Sequence, residues 1–268
     1  MDFRITTLVE NTVYGKGLQG EHGLSLFVET PEHKVLFDTG ASDLFIRNAR
    51  LMNINLAEVD FLVLSHGHRD HTGGVRHFME INKTAPIVCK REVFARKFKN
   101  DRENGMQHPE TLDKSRFRFI NEHTEIVPGV YVLPDIRIVD KHDTHFEQFY
   151  VDMDGEKVPD TFEDELCLTL KSEKTISVIS ACSHRGITNM VRTAQEIFPG
   201  VPSQIVLGGF HIHETTAEKF NVISGFFGRN LPKRLGVCHC TGVEKYAMFR
   251  HQFNDRVYYN YTGWVEKI

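Results

Sequence analysis

An α/β fold is predicted by three observations on this 268-residue chain. Short apolar runs of strand length alternate with longer amphipathic stretches of helix length. The runs fall into two β-rich halves, before and after a polar stretch at 135–164. Side chains able to bind metal collect where apolar runs stop, in loops that a rigid scaffold positions. With 40% hydrophobic residues and 20 Phe, the chain carries enough apolar side chains for the core of one large domain over 1–268.

In the first half, 3–9, 23–29 and 34–37 read as strands, the last two joined through Pro31-Glu32-His33 as a hairpin. A helix is predicted over 42–52, a strand over 61–64 and a helix over 74–81. Residues 86–89 then read as a short strand and 92–99 as a helix. The charged stretch 100–115, with Gly105 and Pro109, reads as an insertion or lid. So does 135–164, which holds His142, His145, Pro159 and many acids, because loops of this length inside a domain tend to be covers or mobile functional segments. The second half resumes with strands 166–170 and 175–179, a helix over 187–198, a strand over 204–207, helices over 216–226 and 243–253, and a terminal strand pair around 257–265.

Composition narrows the function. Lys and Arg total 32 against 36 Asp and Glu, a formal charge of −4, so no broad basic field would attract nucleic acid. The basic run at 90–99 reads as a solvated helix face. The opening Met1-Asp2-Phe3-Arg4-Ile5 lacks the apolar stretch of a signal peptide, and no run approaches a membrane span, which predicts a cytoplasmic protein with no membrane partner. Five cysteines without a regular framework fit a reducing compartment, as buried small residues or neighbours of a metal site. Cys238 and Cys240 flank His239, but a zinc ribbon would need a second pair.

The densest signal is Ser65-His66-Gly67-His68-Arg69-Asp70-His71-Thr72-Gly73-Gly74, directly after the apolar run Phe61-Leu62-Val63-Leu64. Three imidazoles and a carboxylate in six positions are a donor set for zinc, iron or manganese. His66 and His68 alternate like strand residues and reach one metal, whereas Asp70 and His71 lie further round the turn and reach a second. The paired glycines are expected to let the backbone turn tightly before the next helix. Three further clusters end apolar runs: Phe37-Asp38-Thr39-Gly40, Ala181-Cys182-Ser183-His184-Arg185-Gly186, and the pair Gly208-Gly209-Phe210-His211 and Cys238-His239-Cys240-Thr241-Gly242. Asp38 suits either a support for the metal loop or a cap for the helix over 42–52. His211 is placed to touch substrate or donate a proton, or to be a hydrogen-bonded structural histidine.

The pattern H-x-H-x-D-H resembles the signature of the metallo-β-lactamase superfamily. Taken together, the five motifs resemble one branch of it, related to the dihydropterin–ribofuranosylaminobenzene phosphate synthase of methanopterin biosynthesis, whose members are also described as metal-dependent hydrolases. The likeness spans about 3–242. It implies an α/β fold of the four-layer αββα sandwich type and two divalent metal ions. It also implies that Asp38 orients the metal loop without touching metal, and that His239 is the final histidine ligand. Most superfamily members carry Gly-Asp at the strand end where this chain has Cys182 and then His184, and that Asp bridges the metals. His184 is therefore taken as a ligand, with Cys182 near the metals or merely packed. The expected sites are His66, His68 and His184 for one ion, and Asp70, His71 and His239 for the other. Oxygen-reducing relatives have Glu where this chain has His68, which argues against a redox-cycling iron pair.

The chemistry follows from the donors. A metal held by imidazoles and a carboxylate lowers the pKa of bound water toward about 7, and two metals roughly 3.5–4 Å apart hold nucleophile and leaving oxygen together. Metal-dependent hydrolysis of a phosphate-containing or ester small molecule is expected, with Asp70 ligating and orienting water and His211 or Arg185 stabilising charge or protonating the leaving group. Zinc is favoured, and manganese, iron and nickel share the donor preference. The alternative is a transferase joining a pterin-methyl diphosphate to a ribofuranosylaminobenzene phosphate, which would need the two long loops to shut out water. A metal-stabilised binding protein without turnover ranks lowest.

Overall fold

In the computed structural model, which describes residues 2–268, six strands of the first half and the C-terminal strand form a seven-stranded sheet. Its order is Val265–Lys267, Arg4–Val9, Ser25–Glu29, Lys34–Phe37, Phe61–Val63, Ile87–Cys89 and Phe117–Phe119. A second sheet of seven runs Val257–Tyr259, Arg234–Val237, Ser203–Gly208, Ile176–Ile179, Cys167–Lys171, Val130–Leu133 and Thr124–Val127. Each sheet is two-faced because strand side chains alternate. Ile5, Leu26, Val28, Val35 and Phe37 of the first sheet pack with Val132, Leu168, Leu170, Ile179, Ile205 and Leu207 of the second in one buried core. The opposite face of the first sheet takes Leu44, Phe45 and Ala49 from the helix Leu44–Leu51 and Val75 and Phe78 from the helix Val75–Ile81. The outer face of the second receives the helices Ile187–Ile197, Ala217–Arg229 and Val243–Phe253. Buried Ile187, Met190, Val191 and Ala194 recur at the spacing of one helix face. The result is the four-layer αββα sandwich.

Several sequence expectations change. Residues 92–99 are not a helix: a 3-10 turn at Arg91–Phe94 leads into the strand Lys97–Lys99. The two polar segments contain short strands, and Arg102–Glu103, Phe149–Met153 and Glu156–Pro159 join Lys97–Lys99 in a third sheet of four strands. The pairing of Lys97 with Val151 and of Lys99 with Phe149 decides this. A long-range partner overrides the local helix preference of the Lys- and Arg-rich run. The terminal strands do not pair with each other; Val257–Tyr259 edges the second sheet, while Val265–Lys267 pairs with Arg4–Val9 in the first. Three strands, Phe117–Phe119, Thr124–Val127 and Val130–Leu133, lie in a region that carried no such expectation.

Gly73 and Gly74 also act differently from the tight turn expected of them. Both have ordinary right-handed helical backbone. A Cβ at Gly73 would lie 2.3 Å from the Ala41 carbonyl oxygen, and one at Gly74 would lie 2.5 Å from that of Thr39. The glycines let the metal loop press against the chain that follows Asp38.

The third sheet is fastened to the metal loop by charge. Lys97 is 1% exposed, and its ammonium donates to Asp160 at 2.5 Å and to Asp164 at 2.9 Å. The other Asp164 oxygen accepts the Gly67 amide at 2.6 Å. Among the described residues, no helix is long and apolar enough to cross a membrane.

Lys97→Met keeps the volume but leaves two buried carboxylates without their cation, and is expected to cost roughly 3–5 kcal/mol in denaturant unfolding. A loss below about 1 kcal/mol would show that the triad does not hold the third sheet in place.

Candidate metal centre

The candidate ligands converge because of where the parallel strands end. Lys34–Phe37 and Phe61–Val63 run parallel in the first sheet, and Ile176–Ile179, Ser203–Gly208 and Arg234–Val237 in the second. The chain leaving their carboxyl ends supplies Asp38, the 66–71 loop, Cys182 with His184, His211 and His239. Open α/β sheets present ligands at such edges. His66, His71 and His184 are fully buried, His68 and His239 are 3% exposed, and the Asp70 side chain is 16% exposed.

The donors expected from the sequence stand close together. Donor atoms of His66, His68 and His184 lie within 4.8 Å of one another. Asp70 Oδ2 stands 3.5 Å from His71 Nε2 and 3.3 Å from His239 Nε2. Nitrogen and oxygen donors roughly 2.0–2.2 Å from one tetrahedral zinc would be about 3.3–3.6 Å apart. Asp70 Oδ2 is thus at ligand spacing from each ring, and the three-donor set around it that closes within 4.8 Å is His22, Asp70 and His239.

Hydrogen bonds decide which ring nitrogens face the centre. His71 Nδ1 donates to Asp38 Oδ2 at 2.8 Å and His239 Nδ1 to Asn11 Oδ1 at 2.9 Å. His184 Nδ1 points at the His145 carbonyl, 3.3 Å away. Ser65 Oγ donates to Asp38 Oδ2 at 2.6 Å, so at 2.8 Å it accepts from His66 Nδ1. In their neutral form all four rings thus carry their proton on Nδ1 and turn a bare Nε2 inward, the tautomer a metal requires. The Nε2 atoms of His66, His68, His184 and His239 are buried without a hydrogen-bond partner. Each such orphan costs roughly 1–3 kcal/mol unless something binds it. Four of them in one place fit a cationic ligand.

The electrostatics favour the same reading. Burial, reinforced by His71 and His68, holds His66 well below the ordinary histidine range. Burial brings His68 to about 3 and, with His211 and His68 adding to it, depresses His184 strongly. His239 is lowered because burial outweighs the pull of Asp70. Burial opposes the charge on Asp70, yet His71 and His239 hold its carboxyl well below the usual carboxylate range. Burial likewise opposes a charged His71, but Asp70 and Asp38 prevail and raise it. The 66–68–184 group is therefore ready for a cation at neutral pH, whereas a cation at His71 competes with a proton held more firmly than on a free imidazole.

The supporting residues have defined tasks. Asp38 has left-handed backbone, φ 59°, and does not cap the following helix, whose N-cap is Asp43. Its Oδ1 accepts the Ser65 amide at 2.8 Å, so both oxygens serve the metal loop. Cys182 Sγ lies 3.5 Å from His71 Nε2 and 3.2 Å from Cys240 Sγ. The His211 ring stacks obliquely over His184, centroids 4.2 Å apart, and burial depresses it far below the ordinary histidine range. Arg185 is engaged elsewhere: its guanidinium donates to the carbonyls of Ile136 and Thr161 and to Glu163.

Other residues of the site are not singled out by the sequence motifs. His22 Nε2 stands 3.4 Å from Asp70 Oδ2, although its side chain is 71% exposed. Glu165 accepts the amides of His184 and Arg185, each at 2.7 Å, and burial raises its carboxyl to about 8. Glu10 accepts the His239 amide at 2.6 Å. Phe162 lies flat on His184 at 3.8 Å between centroids, and Phe149 packs against His68 and His184. The third sheet thereby covers the imidazoles. A cavity of about 700 Å³ opens beside them, walled by His211, Phe149 and His145 and by charges of both signs, Lys99, Lys141 and Lys219 with Glu147, Glu214 and Glu218.

Residues 18–154 match the model of the metallo-β-lactamase superfamily. The chain is 30% identical to 7,8-dihydropterin-6-methyl-4-(β-D-ribofuranosyl)-aminobenzene-5'-phosphate synthase of Methanocaldococcus jannaschii, over 95% of this chain and 92% of that protein. It is also 30% identical to the uncharacterized protein MJ0448 of the same organism, over 98% of each. Among solved structures, Tm1679, a metal-dependent hydrolase of the β-lactamase superfamily, superposes with a TM-score of 0.88 at 29% identity, covering 99% of both chains.

Asp38→Asn removes the charge that orients Ser65 and His71, and is expected to weaken metal retention about 10- to 100-fold with the circular dichroism spectrum kept. An unchanged metal affinity would rule out that orienting role. Calorimetric metal titrations in buffers of different ionisation enthalpy should show proton release from His71 at about pH 6 that shrinks toward about pH 9. His66, His68 and His184 are already neutral and should contribute none. Release that grows with pH instead would contradict the raised His71.

Proposed function

Because the chain belongs to the metallo-β-lactamase superfamily, we propose that it is a metal-dependent hydrolase acting on a phosphate-containing or ester small molecule. The observation that carries this reading is the convergence of four bare, buried Nε2 atoms and the Asp70 carboxylate beside a cavity walled by Lys99, Lys141 and Lys219. His66, His68 and His184 would hold one divalent cation, and Asp70, His71 and His239 the other, zinc being favoured. Bound there, such ions lower the pKa of water toward about 7 and polarise a phosphoryl or carbonyl oxygen.

The chain's own groups supply the rest. Asp70, the most accessible of the candidate donors in the 66–71 loop, would orient the attacking water through a hydrogen bond. Lys99 and Lys141 would bind the substrate's phosphate as point charges, Lys219 being paired with Glu147 and held by the Thr144 carbonyl. His211 is held neutral by burial, so it would serve as a hydrogen-bond donor to the leaving oxygen rather than as an acid that yields its proton near pH 7. Arg185 would act through position, its guanidinium fixing the 136–163 segment against the turn that carries His184.

The second reading is a transferase joining a pterin-methyl diphosphate to a ribofuranosylaminobenzene phosphate. It is favoured by the likeness to the synthase and by Phe149 and Phe162, which shield the imidazoles from water. A metal-stabilised binding protein is the third.

Product analysis with metal-reconstituted protein separates them. Phosphodiesters, lactones and thioesters should be screened beside the pterin diphosphate, with and without its aminobenzene partner. Hydrolysis is expected, abolished by chelation and reduced to background by Asp70→Asn or His71→Ala. Conversion of the pterin diphosphate only when its partner is present, with hydrolysis at background, would establish the transferase. Turnover of neither class in metal-loaded protein would leave the binding reading.

A further inference from the structure

We propose that Cys182 is itself a metal ligand, its thiolate shared between the two cation sites. This rests on the two-cation reading above and adds a sulfur donor to it. Three sets of donor atoms that lie within 4.8 Å of one another contain Cys182: with His66 and His71, with His184 and His211, and with His239 and Cys240. The sulfur is thus a common neighbour of His66 and His184 on one side and of His71 and His239 on the other.

The spacing supports coordination rather than packing. Donors on one tetrahedral zinc, nitrogen at about 2.0 Å and sulfur at about 2.3 Å, stand about 3.5 Å apart. Cys182 Sγ and His71 Nε2 stand 3.5 Å apart. The surroundings point the same way. Cys89, Cys167 and Cys238 are built into the apolar cores, whereas Cys182, though 3% exposed, belongs to none of them. It lies instead among imidazoles whose Nε2 atoms have no partner.

Cys240 has a different part. Two thiolates on one zinc would be about 3.7 Å apart, but its sulfur is 3.2 Å from that of Cys182 and accepts the His211 amide, also at 3.2 Å. It suits a neutral thiol that donates to the Cys182 thiolate. On coordination, Cys182 loses its thiol proton to solvent and forms metal–sulfur bonds, with no change of oxidation state. A sulfur donor makes the centre softer, favouring zinc, iron and cobalt over magnesium and manganese.

X-ray absorption of the zinc-loaded wild-type protein tests this without any variant: a sulfur scatterer at about 2.3 Å is expected in addition to nitrogen and oxygen. Cobalt(II) loading should give a thiolate-to-metal charge-transfer band in the near ultraviolet, retained in Cys240→Ala and lost in Cys182→Ser. Two bound cations with only nitrogen and oxygen neighbours would overturn the proposal and leave the metal centre standing. So would a band that survives Cys182→Ser and vanishes in Cys240→Ala. Protein that takes up no cation would overturn both readings. If Cys182→Ser does not fold, the sulfur scatterer in Cys240→Ala decides: retained, it is Cys182; lost, the proposal falls.

Discussion

The carboxylate of Asp38 accepts three hydrogen bonds inside the protein, from the Ser65 amide, the Ser65 hydroxyl and His71 Nδ1. Much of the site depends on that one anion. By holding Ser65 at the end of Phe61–Val63, it fixes where the histidine loop leaves the sheet. By accepting the hydrogen bond of the Ser65 hydroxyl, it leaves that oxygen to act as an acceptor and so sets the tautomer of His66. By pairing with His71, it turns that ring's free nitrogen toward Asp70. Its left-handed backbone is a local strain that the surrounding packing must offset, as strain often is at functional sites. His211 and His239 share the same backbone region.

The fold brings two such systems face to face. Each large sheet ends its parallel strands on the same edge of the sandwich, and the core between them fixes how far apart those edges lie. Asp38 orients donors of the first sheet, while Glu10, Asn11 and Glu165 orient His239 and His184 of the second. Glu10 and Asn11 follow a first-sheet strand yet hold a second-sheet ligand, so the halves are joined through the site as well as through the core.

Much of this is legible in the sequence. His66, His68, Asp70 and His71 are contiguous, and His184 and His239 end apolar runs, so the logic of strand ends is enough to locate them. Asp38 is legible as a carboxylate at a strand end, but only its hydrogen bonds separate a support for the loop from a helix cap. His22 carries no such signal: it is an isolated, exposed histidine brought to Asp70 by the packing of distant segments. Asp164 and Glu165 stand at the end of a polar stretch that reads as an insertion or lid, and nothing in the sequence marks that both are buried and hold backbone amides. The third sheet is invisible for a related reason, since Lys97–Lys99 becomes a strand only by pairing with Phe149–Met153. Non-local pairing leaves no periodicity in a three-residue segment.

Asp164 faces Lys97 with one oxygen and Gly67 with the other, and Gly67 lies between two candidate ligands. Cover and ligand loop are therefore parts of one cooperative unit. Any fluctuation that lifts the third sheet must either unpair a buried charge or take the amide of Gly67 with it. By reciprocity, an ion that orders His66 and His68 also adds to the free energy holding Phe149 and Phe162 over them. Amide exchange in the Phe149–Met153 strand would then report on the occupancy of a site that the strand itself does not ligate.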